Sequence, residues 1–173
     1  MINGNNDMNH SENNASGIEN GEKQISLAEL LPLIEERLSA GQNVKFIPYG
    51  TSMLPMLTPG KCSVTLAPPP KRLKKYDVAL YRRENGGFVL HRVAKASEDY
   101  VFIGDNQFVY EHGIRHSQVI AVLDSYTKDG RELSVDRFAY KLYCRYWHYS
   151  RPIRHLYSRA KSYLKRKFCR KNK

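Results

Sequence analysis

Apolar and polar residues alternate in two rhythms along this chain of 173 residues. Between Val44 and Thr127 the period is near two, which predicts strands at 44–49, 62–67, 77–83, 87–96, 99–104 and 117–126. Turn chemistry separates them. Asn85-Gly86 is a hairpin signal, Ser97-Glu98-Asp99 turns the next pair, and Lys128-Asp129-Gly130-Arg131 closes the series as a charged turn. Closely spaced strands without intervening helices predict a mainly β fold, a coiled sheet or small barrel, rather than parallel βαβ units.

Helical rhythm frames the strands. Leu27, Leu30, Leu31, Ile34 and Leu38 recur at helical spacing, Ser26-Leu27-Ala28-Glu29 has the form of a capping box, and Gly41 is the expected stop. Pro32 predicts a kink there, or a helix that starts at that residue. The leucine face is expected to pack on the sheet. After Asp136 comes an aromatic and basic helix. Pro152 breaks it or starts the next, where Ile153, Leu156, Tyr157, Ala160, Leu164 and Phe168 share one face. Three parts follow: a polar, Asn-rich stretch at 1–24 expected to be disordered, a β domain with its leading helix at 25–127, and a basic amphipathic helical tail at 128–173.

Charge sharpens that division. The net charge is +11, yet thirteen basic residues and no acidic ones lie from Arg137 onward, so residues 1–136 carry a net −2. Basic residues mixed with Tyr and Trp on an amphipathic helix suit an anionic membrane surface. Nucleic acid is the weaker expectation, because no reading-head motif accompanies the basic run. A helix packed on the domain with a solvated basic face is the structural alternative.

Cys62, Cys144 and Cys169 are odd in number and widely spaced, which suggests neither a disulfide framework nor a zinc site. Reduced thiols, the lack of a signal-peptide pattern and the lack of a long apolar run predict a cytoplasmic protein, peripheral to the membrane through its tail. His112 and His116 flank a polar loop without a third ligand, so no metal and no cofactor is expected.

The candidate chemistry centres on Phe46 to Leu57. There an apolar run enters Gly50-Thr51-Ser52, and Pro55 stiffens the chain behind it. A serine on such a turn is placed as a nucleophile, but its hydroxyl needs a base. His91 interrupts an apolar strand, and an imidazole changes charge near neutral pH. Asp105, in the turn after another strand, is the candidate carboxylate to orient it.

Gly-Thr-Ser-Met-Leu-Pro-Met-Leu at 50–57, His-Arg-Val at 91–93 and Gly-Asp-Asn at 104–106 together resemble the type I signal peptidase superfamily, which also holds the self-cleaving SOS-type repressors. The resemblance spans about half the chain, from Val44 to Val122. It implies a signal-peptidase-like coiled β-sheet core and a serine endopeptidase of the Ser-His branch, with Ser52 as nucleophile and His91 as base. The Ser52 amide would be an oxyanion donor, and Gly50, Thr51, Met53 and Pro55 would shape the site. Where some members carry a second, hydroxyl donor, this chain has Gly50. The implied substrate is a leader or signal-like peptide with small residues beside the cut.

Departures accompany the resemblance. Gly60-Lys61 and Tyr76-Asp77 stand where the family has Gly-Asp, Glu111 holds a later acidic position, and the family's membrane anchor is missing. The alternative function is a non-catalytic regulatory or binding module on the same fold, docking to membrane, protein or nucleic acid through the tail. Self-cleavage is disfavoured, since Ala40-Gly41 lies only about a dozen residues before Ser52 in a helix end.

Overall fold

In the computed structural model, which describes residues 27–171, the strands form one antiparallel sheet accompanied by three α-helices. The order is α1 (Leu27–Ser39), β1 (Val44–Phe46), β2 (Ser63–Ala67), β3 (Val78–Arg82), β4 (Phe88–Ala96), β5 (Tyr100–Ile103), β6 (Glu111–Ile114), β7 (Val119–Lys128), β8 (Arg131–Ser134), α2 (Phe138–Tyr149) and α3 (Arg151–Lys171). The mainly β reading therefore holds. Residues 1–24, expected to be disordered, and Ser26, expected to cap α1, lie outside the described residues.

Strand order is β1-β2-β7-β3-β4-β5-β6, with β8 added to β7. The long β7 joins the halves: Val119–Val122 pair with β3, Val122–Thr127 with β2, and Ser125–Lys128 with β8. Register shifts interrupt four pairings, between Thr65 and Leu66, Leu80 and Tyr81, Val93 and Lys95, and Tyr100 and Phe102. Each such irregularity bends a strand and increases its twist, which coils a sheet.

The hairpins follow their turn residues. Gly86, at φ +85°, takes the left-handed conformation that the β3–β4 turn requires, and the Gly87 amide donates to Asn85 Oδ1. Asp129 and Gly130 both have positive φ between paired Lys128 and Arg131, the pattern of a type I′ turn. The charged turn at 128–131 is thus the hairpin into β8, a strand within the stretch read as helical tail. Neither β8 nor β6 was expected. Both are short, polar strands, so they lack the alternation that betrays a half-buried one.

Two apolar layers cover the sheet. On one face Ile34 and Leu38 of α1 and Tyr140 and Cys144 of α2 meet Val64, Leu66, Val78, Leu80 and Leu123. On the other, Tyr81, Val93, Tyr100 and Phe102 pack together, with the Tyr81 and Phe102 rings stacked at 4.3 Å. The leucine face of α1 packs on the sheet as expected. Its helix starts before Pro32 and runs through it, with that ring exposed.

Candidate active site

Ser52 sits in the turn-rich segment between β1 and β2, which is pinned at both ends. Immediately after it, Met53, Met56 and Leu57 are buried in the α1 and α2 core layer. The Leu54–Pro55 peptide is cis, Pro55 is exposed, and its carbonyl accepts from Lys128 Nζ at 2.9 Å. On the other side Asn106 holds the turn: its amide donates to Ser52 O at 2.8 Å, and its side chain donates to Thr51 O at 3.4 Å. Among the described residues, neither the Ser52 amide nor its hydroxyl has a hydrogen-bond partner.

Gly104 makes this docking possible. A Cβ there would stand 2.8 Å from Ser52 O, well inside contact distance of backbone. Extending the Arg92–Ile103 register by one residue sets Gly104 opposite His91. The serine turn is therefore seated at the end of β5 that neighbours the histidine. Gly50, by contrast, has no described residue beyond its chain neighbours within 4 Å of an added Cβ and no positive φ, so the described fold does not require glycine there.

His91 lies in the middle of β4 at 1% exposure. Its Nδ1 is 3.0 Å from Glu111 Oε1 and 3.3 Å from the Tyr81 hydroxyl. Glu111 also accepts two bonds from Arg83, Nε to Oε2 at 2.8 Å and Nη2 to Oε1 at 2.7 Å. Burial pushes the Glu111 carboxyl up, but bonds from His91, Arg83 and Tyr81 outweigh it and hold the group well below the usual carboxylate range. An ionised carboxylate at Nδ1 places the imidazole proton there, which leaves Nε2 as the basic nitrogen. Nε2 is buried and has no hydrogen-bond partner among the described residues.

Asp105 does not orient His91. Successive residues of a strand face opposite sides, and Asp105 belongs to Arg92, not to His91. Arg92 Nε donates to Asp105 Oδ1 and Nη2 to Oδ2, both at 2.8 Å, with the two side chains at 2% and 0% exposure. The Tyr143 hydroxyl adds a bond to Oδ2 at 3.2 Å. Arg92 is surrounded further by Tyr76 O, the Tyr140 hydroxyl, Cys144 Sγ and Met56 Sδ. Burial raises the pKa of Cys144 despite the adjacent guanidinium, so its thiol stays protonated.

The Asp105 turn is clamped by the C-terminal helices. Trp147 Nε1 donates to Asp105 O at 2.8 Å, Arg154 Nη1 donates to the same carbonyl at 3.3 Å, and Arg151 Nη1 donates to Gly104 O and Gln107 O. The start of the basic tail is thus part of the scaffold that positions Ser52. Sequence reasoning assigned none of these helix residues to the site, and their partners lie roughly 40 to 50 positions away.

Of the expected group, the structure brings the Ser52 turn, Gly104 and Asn106 together next to the His91 strand, but no hydrogen bond links Ser52 to His91 among the described residues. Lys95 is exposed and lies past the β4 bulge. His116 Nδ1 is 3.1 Å from the Tyr100 hydroxyl, His112 is exposed, and no group of three or more metal-ligating side chains forms among the described residues. No described helix is long and apolar enough to cross a membrane. Compared with protein-family models, with curated proteins and with solved structures, the chain matches none.

Proposed function

We propose that the protein is a serine endopeptidase on a signal-peptidase-like fold, with Ser52 as nucleophile, His91 as general base and Glu111 as the orienting carboxylate. The carrying observation is the ring of His91: Nδ1 is engaged by an ionised carboxylate while Nε2 is buried and, among the described residues, unpartnered. That is the tautomer a general base needs. Tyr76 lends further support. It stands where the resembling family carries glycine, and its φ of +81° lies in the region glycine favours.

In the proposed reaction an extended peptide seats over the Ser52 turn and brings the hydroxyl onto Nε2. Exposed Ile47 and Tyr49, on the approach to Gly50, offer apolar surface for it. Ser52 Oγ attacks the scissile carbonyl and passes its proton to Nε2, and Glu111 stabilises the imidazolium that forms. The free Ser52 amide donates to the oxyanion. His91 then protonates the leaving amine. Water, activated by the same nitrogen, releases the acyl group and restores the serine.

A leader-peptide library digested by wild type, Ser52→Ala and His91→Ala, and read by mass spectrometry, tests the proposal. The expected result is a set of cuts beside small residues, absent from both variants. Cuts that persist in Ser52→Ala, or a folded wild type that cuts nothing, would replace the peptidase by the binding-module reading. Intact mass of the enzyme in the same digests separates self-cleavage from action on another chain.

A further inference from the structure

Residues directly opposite on antiparallel strands share a face of the sheet, and so do residues two apart along one strand. Ala79 is opposite His91, so parity carries Tyr81, and then Arg83 where the β3–β4 turn opens, to the side of the histidine. Phe102 is opposite Glu111 and stacks on Tyr81, which sets the carboxylate on that side as well. Arg82 falls on the other face, where it pairs with Glu35 of α1.

The turn ties the Arg83 backbone down, its amide donating to Gly87 O at 2.8 Å and its carbonyl accepting from the Gly86 amide at 3.0 Å. Its guanidinium grips both oxygens of Glu111, the fork geometry that fixes the plane of a carboxylate. Oε1 is shared: Arg83 Nη2 reaches it at 2.7 Å and His91 Nδ1 at 3.0 Å. Glu111 comes from β6, a four-residue strand at the end of the sheet order, so the fork adds an anchor that a short edge strand lacks.

Charge gives the fork a second effect. A carboxylate bound to imidazole alone favours imidazolium, which cannot accept a proton. A guanidinium on the same carboxylate offsets that pull and opposes a second positive charge on the ring. Around this ring the titratable and charged groups among the described residues are Tyr81 of β3, Arg83 after it and Glu111 of β6, while β5 between them contributes uncharged Phe102. Burial, and then Glu111, raise the Tyr81 phenol, so it stays protonated and donates to the carboxylate. The bond to Glu111 raises Arg83, ahead of burial, which works the other way, so its charge is permanent.

We propose that Arg83 is a positioning residue: through Glu111 it fixes the ring proton of His91 on Nδ1 and keeps Nε2 free to accept another at neutral pH. Its catalytic meaning rests on the peptidase reading, but its effect on the ring is visible without turnover.

Ring-nitrogen NMR of the full chain, labelled at histidine, reads that effect, with His91 assigned by the signals lost in His91→Gln. Wild type is expected to carry the ring proton on Nδ1. In Arg83→Gln the pH at which the ring titrates is expected to rise by about one unit, a modest shift because the guanidinium is partly exposed. Arg83→Lys keeps the charge but loses the fork, and is expected to restore most of that shift. Arg82→Gln removes an equal charge from the other face and is expected to leave the ring as in wild type. A ring that titrates at the wild-type pH in Arg83→Gln, or that moves as far in Arg82→Gln, overturns the proposal. Melting curves accompany each variant, and Arg83→Lys decides alone should Arg83→Gln not fold: a ring proton shared between Nδ1 and Nε2 supports the need for the fork, together with the charge, and a wild-type ring overturns it.

Cleavage measured across pH separates this role from the peptidase reading. The acidic limb of kcat is expected to follow the ring upward in Arg83→Gln, a loss of about tenfold at its acid end with KM little changed. A kcat lowered equally at every pH would mark a packing role and overturn the proposal. A wild type that cuts nothing, with the ring shifting as expected, removes the peptidase and leaves the hold of Arg83 on His91 standing.

Discussion

Glu111 holds the ring of His91 from two strands away: Oε1 on β6 lies 3.0 Å from Nδ1 on β4, across the intervening β5. The neighbouring pair, Arg92 and Asp105, is the stronger ion pair by geometry, but it faces the opposite side of the sheet. On the proposed peptidase reading, one carboxylate bears on chemistry and the other on architecture.

That division predicts opposite phenotypes. Glu111→Gln can turn its amide toward Nδ1 and select the wrong imidazole tautomer, so kcat for peptide cleavage is expected to fall about 10⁴-fold. Its unfolding free energy should change by only about 1 kcal/mol, because the Arg83 partner is partly exposed. Asp105→Asn leaves the buried Arg92 charge uncompensated and is expected to cost about 3–5 kcal/mol in urea denaturation. A stable Asp105→Asn paired with an unstable Glu111→Gln would reverse the assignment.

Gly104→Ala tests how closely the serine turn is docked. The new methyl would stand 2.8 Å from Ser52 O, and backbone must move to admit it. Expected are a destabilisation of about 1–3 kcal/mol and, from the misplaced nucleophile, a loss near 10²-fold in kcat. A variant with wild-type Tm and rate would show that the turn is more yielding than its contacts.

Acid titration reads Glu111 directly. Its folded carboxyl is held below the usual range, so its contribution to stability is fully present above the ordinary glutamate pKa of about 4.3 and is lost as pH falls through the lower folded value. Melting temperature is expected to drop below that pH in wild type and to drop less in Glu111→Gln. Parallel curves for the two proteins would remove Glu111 from the pH response.

Gly50→Ser supplies a hydroxyl where the fold leaves open space. Stability is expected to stay within about 0.5 kcal/mol of wild type, as for other unconstrained surface positions. If the side chain reaches the oxyanion, kcat rises by up to about tenfold, a fraction of what a fully preorganised donor supplies. A fall in kcat at unchanged stability would mean that glycine is there to let the substrate backbone approach.

Much of the frame was determined by local pattern. Alternation located β2, β3, β4, β5 and β7 to within two residues at each end, and β1 proved shorter because Pro48 cannot extend its ladder. Leu31, Ile34 and Leu38 turned the expected face of α1 to the core. The glycine and asparagine turns closed the hairpins they signalled. These features are legible because dihedral preference and side-chain parity act within a few residues.

Tertiary structure alone decided which carboxylate meets which cation. Parity puts His91 and Arg92 on opposite faces, yet no local rule says which face the Asp105 side chain takes after its turn, or that Glu111 returns on a sixth strand to reach His91. The same holds for Tyr143, Trp147, Arg151 and Arg154, whose amphipathic helices gave no hint that they brace the Gly104–Asp105 turn on which the serine segment is docked. Hydrogen bonds across some 40 residues depend on where the chain returns, and that is fixed by packing of the whole sheet rather than by the preference of any segment.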